Sequence, residues 1–148
     1  MNPLLPQSGR FEGKRHLFAV RVYFEDTDLS GVVYHANYLR WFERARSDML
    51  RLAGIDQRAA HDSGEGAYAV TEMSLRYARP ARLDDAITVI SRVTEVSAAA
   101  CRLDQQALRG DVLLCSAGLR VAFVTPDGRP RRQPADWIAA FRALIEPL

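Results

Sequence analysis

Apolar positions recur with period two over most of the chain and with period three to four over one long stretch. Residues 15–24, RHLFAVRVYF, alternate Leu17, Ala19, Arg21 and Tyr23 with Phe18, Val20, Val22 and Phe24, which predicts a first strand. Over 37–53, Tyr38, Phe42, Ala45, Met49 and Leu52 follow a 4-3-4-3 spacing, and Trp41 widens the stripe. That is one face of an amphipathic helix roughly 25 Å long at about 1.5 Å per residue. Arg40, Glu43, Arg44, Asp48 and Arg51 fall on its polar face. Asn37 is a candidate N-cap and Gly54 a natural stop. From residue 67 the period returns to two. AYAVTEMSLRYA places Ala69, Thr71, Met73, Leu75 and Tyr77 on one side. AITVISRVTEV, AACRLDQQAL and VLLCSAGLRVAFV follow as three further strands, the last ending at the turn TPDGRP. Trp137, Ile138, Phe141, Leu144 and Ile145 give a short final helix beginning near Pro134.

The order is strand, long helix, four strands, short helix. Strands joined by short turns pair antiparallel, and one long helix against such a sheet is an α+β layer. The last long strand is apolar on both faces, so part of its second face is expected to meet another subunit. At 148 residues the chain reads as one domain. Residues 1–14 form a loose arm rich in Pro and Gly, 15–130 the domain, and 131–148 an extension carrying the short helix.

Composition narrows the function. No apolar run reaches a membrane span, and MNPLLPQSGRFEGKR has no signal-peptide pattern, so a cytoplasmic protein without a membrane span is expected. Cys101 and Cys115 read as reduced core thiols, and His16, His35 and His61 lack zinc spacing, so no metal is expected. A net charge of +2 does not predict nucleic-acid binding. Lys14 is the only lysine; the other 19 basic residues are arginines, whose forks suit phosphates.

The segment FEDTDLSGVVYHANY, residues 24–38, packs Glu25, Asp26, Asp28 and His35 into a strand-to-helix junction. With the flanks included, YFEDTDLSGVVYHANYLRWFERAR (23–46) resembles the acyl-CoA thioesterases of the hotdog fold. The similarity is to the group encoded beside the Tol-Pal envelope system, within the 4-hydroxybenzoyl-CoA thioesterase superfamily. RYARPARLDD (76–85) resembles the same group, and the likeness covers roughly residues 15–130. It implies a long central helix wrapped by a curved antiparallel sheet of about five strands. It also implies a homodimer with active sites at the subunit interface, or a homotetramer built from two dimers. The implied substrate is acyl-CoA, with acyl-carrier protein as an alternative acyl donor. No cofactor is implied, since coenzyme A is part of the substrate.

Thioester hydrolysis needs a base or nucleophile near the carbonyl carbon and donors aimed at its oxygen. A carboxylate beside a helix N-terminus, whose first N–H groups have no partners inside the helix, supplies both. Related thioesterases place the essential Asp three residues before the glycine, which is Asp28 before Gly31 here. Asp28 either attacks the carbonyl or activates water. Gly31 permits a backbone conformation or a close approach. His35 positions water, shuttles a proton or polarises the thioester, and its backbone N–H matches an oxyanion donor of related enzymes. Asn37 is a cap or a substrate contact, Tyr38 lies at the acyl pocket, and Glu25 and Asp26 are structural or modify the charge of the loop. Arg76, Arg79 and Arg82 are candidates for the phosphate-bearing arm of coenzyme A, with Arg129, Arg131 and Arg132 after the last strand. Two alternatives remain: a hotdog hydratase or dehydratase pairing His35 with Glu43 or Asp48, and a non-catalytic acyl-CoA-binding scaffold.

Overall fold

The computed structural model describes residues 2–146. Six strands form a single antiparallel sheet: β1 (Arg10–Glu12), β2 (Arg15–Arg21), β3 (Ala67–Tyr77), β4 (Ala86–Val96), β5 (Ala100–Arg109) and β6 (Val112–Val124). Their order across the sheet is β1-β2-β4-β5-β6-β3. Helix α1 (Asn37–Leu52) crosses the inner face, followed by the one-and-a-half-turn α2 (Gln57–Asp62), and α3 (Ala135–Ala143) closes the described chain. The sheet thus has one strand more than the periodicity predicted. That strand, β1, lies in the segment read as an arm and pairs Phe11 with His16 of β2.

Alternation decides what each strand buries. On β5, Cys101, Leu103, Gln105 and Ala107 are buried and Arg102, Asp104 and Gln106 are exposed, the alternation of a strand with one face inside. On β3 the parity changes midway. A bulge between Val70 and Glu72 leaves Thr71 out of register. Tyr68 therefore shares the inner face with Met73, and Ala69 and Thr71 do not, contrary to the expected set. A bulge inserts one unpaired residue, and with period two that swaps every side chain beyond it.

Helix α1 buries Tyr38, Trp41, Phe42, Ala45 and Met49 as expected. Two positions differ. Leu52, assigned to the stripe, is exposed at the helix end. Asp48, assigned to the polar face, is buried because β2 brings His16 beneath it: His16 Nε2 lies 2.7 Å from Asp48 Oδ2. Gly54 ends the helix in the left-handed region with φ 87°.

A second polar link fastens α1 to the sheet. Gln105 donates through Nε2 to the Phe42 carbonyl at 3.0 Å and to Ser91 Oγ at 2.9 Å. Its Oε1 accepts from Arg46 at 3.0 Å. Behind α1, the buried Gln133 donates to the Ser97 carbonyl and accepts from Tyr68, holding the approach to α3. Both cysteines are free and buried, and burial pushes the Cys101 thiol up to about 12 and that of Cys115 to about 11.

Candidate functional site

The junction between β2 and α1 is a small folded unit. After a 3₁₀ turn at Phe24–Asp26, Thr27 bridges Val33, Asp28 N–H donates to the Val32 carbonyl at 2.9 Å, and Gly31 N–H donates to the Asp28 carbonyl at 3.2 Å. Gly31 sits at φ 84°, and a Cβ added there would meet nothing within 4 Å. The requirement for glycine is thus conformational, not one of close approach. The second sequence block braces the loop: Val33 N–H donates to the Ala81 carbonyl at 2.8 Å, and Val32 bridges Arg82.

Asp28 stands at the loop surface. Its Oδ1 accepts from Ser30 N–H at 2.8 Å and from Ser30 Oγ at 2.5 Å. The Ser30 hydroxyl, and then its N–H, hold the carboxyl below the usual carboxylate range by favouring the charged form. Asp26 is a clamp. Its Oδ2 accepts from Tyr23 N–H, its Oδ1 accepts from the Asn37 amide at 2.7 Å, and its carbonyl accepts from Tyr34 N–H. Asn37 is therefore not the N-cap. It occupies the first helical position, one residue too late to cap, and its buried side chain points back to Asp26. Ala36 precedes the helix and offers no capping side chain. The N–H groups of His35, Ala36 and Tyr38 consequently meet no acceptor among the described residues.

The His35 ring is exposed between aromatic neighbours, 4.5 Å from Tyr34 and 6.3 Å from Tyr77 between centroids. Tyr77 donates its hydroxyl to the His35 carbonyl at 2.7 Å, which fixes the peptide entering α1. Tyr38 is buried, and its hydroxyl accepts from Ala81 N–H at 3.2 Å. Asp28 and His35 do not share one cavity in the single chain. Asp28 and Gly31 line an open depression with Phe24, Leu29 and Leu83; His35 and Tyr38 line another with Tyr77, Arg79 and Pro80. Around both, Tyr23, Phe24, Leu29, Tyr34, Tyr77 and Leu83 are exposed, Leu29 fully so at 109%.

The three arginines of the second block separate. Arg79 lies beside His35, and Arg82 lies against Val32 at the loop. Arg76 is on the outer face of β3, in a groove with Arg15, Arg92 and Ser116, so the structure does not bring it to the loop. Asp48, one acid of the hydratase alternative, is taken up by His16, Gly9 N–H and Arg51. Ser30 and Tyr77 are the contacts that reading the sequence left out. The spacing Asp28-Leu29-Ser30 is a local signal for a side chain returning onto the carboxylate, but the Tyr77 contact depends on β3 returning to the helix start.

Comparison with known proteins bears on this loop and this sheet together. A family model described as the thioesterase-like superfamily matches residues 22–144. The acyl-CoA thioesterase YbgC of Haemophilus influenzae is 39% identical over 128 residues, covering 86% of this chain and 94% of that protein. The acyl-CoA thioester hydrolase YbgC of Escherichia coli is 38% identical over 125 residues, covering 83% and 92%. Among solved structures, a probable thioesterase from Bartonella henselae superposes with a TM-score of 0.78 at 37% identity, covering 81% of this chain and 99% of that one. The chain belongs to the thioesterase-like superfamily and has its hotdog fold.

Proposed function

We propose that this protein hydrolyses acyl-CoA thioesters to the free acid and coenzyme A, with Asp28 as nucleophile or general base. The observation that carries the reading is an ionised, hydrogen-bonded carboxylate at Asp28 on the loop that leads into α1, whose first N–H groups at His35, Ala36 and Tyr38 have no acceptor among the described residues. In hydrolysis, negative charge moves onto the thioester oxygen as the carbon is attacked. Donors already in place stabilise that charge, each typically contributing about 2.7–4 kcal/mol in a water-excluded site. His35 is next to those donors, and in this reading its backbone polarises the carbonyl while its ring assists proton movement. Arg79 and Arg82 suit the phosphates of coenzyme A. The reaction as proposed uses no cofactor, and the pool of coenzyme A esters it draws on is cytoplasmic.

A second copy of the chain completes the site in this reading. β3 is an edge strand of 11 residues with one side unpaired, and its Tyr77 touches His35. A copy adding its own β3 there would lie against the helix start and cover exposed apolar side chains, excluding water from the thioester. The relatives named as acyl-CoA thioesterases support the substrate class.

The test is a panel of acyl-CoA esters varying in chain length and aromaticity, with release of free thiol as the readout. Asp28→Asn should lower kcat by roughly 10²–10⁴-fold while the protein still binds coenzyme A. A variant that turns the panel over at the wild-type rate overturns the assignment. Formation of an unsaturated or hydroxylated acyl-CoA without thiol release would point to the hydratase class instead.

A further inference from the structure

We propose that Ser30 is a positioning residue of the hydrolytic site, holding Oδ1 of Asp28 so that Oδ2 alone is presented to the reacting carbonyl or to the attacking water. This rests on the reading of Asp28 given above and extends it to a residue that the family likeness did not single out.

The argument is geometric. A carboxylate on an exposed loop is free to rotate about its last bond, and it presents either oxygen at a range of angles. Here two donors from one residue converge on one oxygen, Ser30 N–H at 2.8 Å and Ser30 Oγ at 2.5 Å. No other side chain reaches Asp28 among the described residues; both Ser30 donors fall on Oδ1, which leaves Oδ2 the less engaged oxygen, and the Val32 and Asp28 N–H groups favour the charged form more weakly. The backbone on either side is pinned as well. Asp28 N–H donates to the Val32 carbonyl, and the Asp28 carbonyl accepts from the N–H of Gly31, whose positive φ turns the chain so that Val32 comes back alongside Asp28. The loop therefore fixes where Asp28 starts, and Ser30 fixes which way its carboxylate faces.

The two donors are separable by substitution. The N–H is present with almost any residue at position 30, whereas the hydroxyl needs Ser or Thr. Ser30→Ala keeps the turn and removes one donor; Ser30→Thr keeps both. Misalignment of a reacting group is costly in rate because the reactive geometry is narrow. Both hydrogen bonds also favour the charged carboxylate, so their loss should be visible in the acid limb of the rate profile.

The experiment measures kcat and KM for wild type, Ser30→Ala, Ser30→Thr and Asp28→Asn across pH, on the best substrate of the acyl-CoA panel. Ser30→Ala is expected to lower kcat roughly tenfold with KM within about twofold. Its acid limb in kcat/KM should move upward, and Ser30→Thr should restore both features. A thermal midpoint equal to wild type for Ser30→Ala excludes a folding defect. If Asp28→Asn is inactive but Ser30→Ala keeps the wild-type kcat and acid limb, Ser30 has no positioning role. If Asp28→Asn is fully active, the reading of Asp28 fails, and the proposal for Ser30 fails with it.

Discussion

At the scale of single residues, His16 and Asp48 carry the clearest dependence on pH. His16 is fully buried, bonded through Nε2 to Asp48, and its Nδ1 has no partner. Burial, the largest influence, holds its pKa below the ordinary 6.5 despite the nearby carboxylate. The geometry agrees, because a proton on Nδ1 would place a buried N–H with no acceptor, while Asp48 is already balanced by Arg51 and Gly9 N–H. The folded protein therefore binds fewer protons at His16 than the unfolded chain does in the window below 6.5. Stability from this site is fully present above that pH and is lost as pH falls toward the lowered folded value. Asp48, also lowered, adds a loss of the same sign further into the acid range. Urea midpoints measured from pH 7.5 down to about 5 should decline for the wild type. The slope should be markedly smaller for His16→Gln. Neither partner's role was legible in the sequence: Asp48 sits at a polar helical position, and only the β2 register shows that it is inside. Ser30, in contrast, lies two residues from Asp28 and was within reach of local rules.

At the scale of elements, the attachment of α1 to the sheet depends on Gln105. Its amide reaches the Phe42 carbonyl and Ser91, and its oxygen receives Arg46, a guanidinium with no other hydrogen-bond partner among the described residues. Gln105→Leu keeps the volume but strands Arg46 and Ser91, so it should cost about 1–3 kcal/mol. A lowered melting temperature, with α1 amides exchanging faster than those of β5, is the expected result. Period alone located α1, α3 and the long strands, because each buries one face and its apolar spacing reports that face. β1 and α2 escaped because three and six residues are too short to show a period. The parity of β3 escaped because the bulge at Thr71 is fixed by pairing with β6, a partner some fifty residues away in sequence. The same dependence on pairing separates Arg76 from Arg79: they are three positions apart, but one lies on the outer face and the other beyond the strand end.

For the whole molecule, Tyr77 ties the end of the free edge strand β3 to the peptide entering α1. If a second copy docks there, Val70, half-exposed at 46% on β3, becomes part of the contact. Val70→Asp should shift the protein toward monomer in sedimentation at low micromolar concentration and reduce thioesterase activity in parallel. An unchanged sedimentation profile would place the second copy elsewhere. The family and the conformation of the Asp28 loop were legible because their residues are contiguous, whereas a covering subunit would leave in the sequence only an excess of exposed aromatic and aliphatic side chains. The strand order has one more effect, on how the chain becomes native. β2 must wait for β4, and β3 must wait for β6, while β4, β5 and β6 are joined in sequence by tight turns. Distant pairings form late because closing long loops is entropically unfavourable. The meander of β4, β5 and β6, local in sequence, is expected to pair first, with α1 and the Asp28 loop seated afterwards. A partly folded chain would therefore carry every group of the Asp28 loop without assembling them.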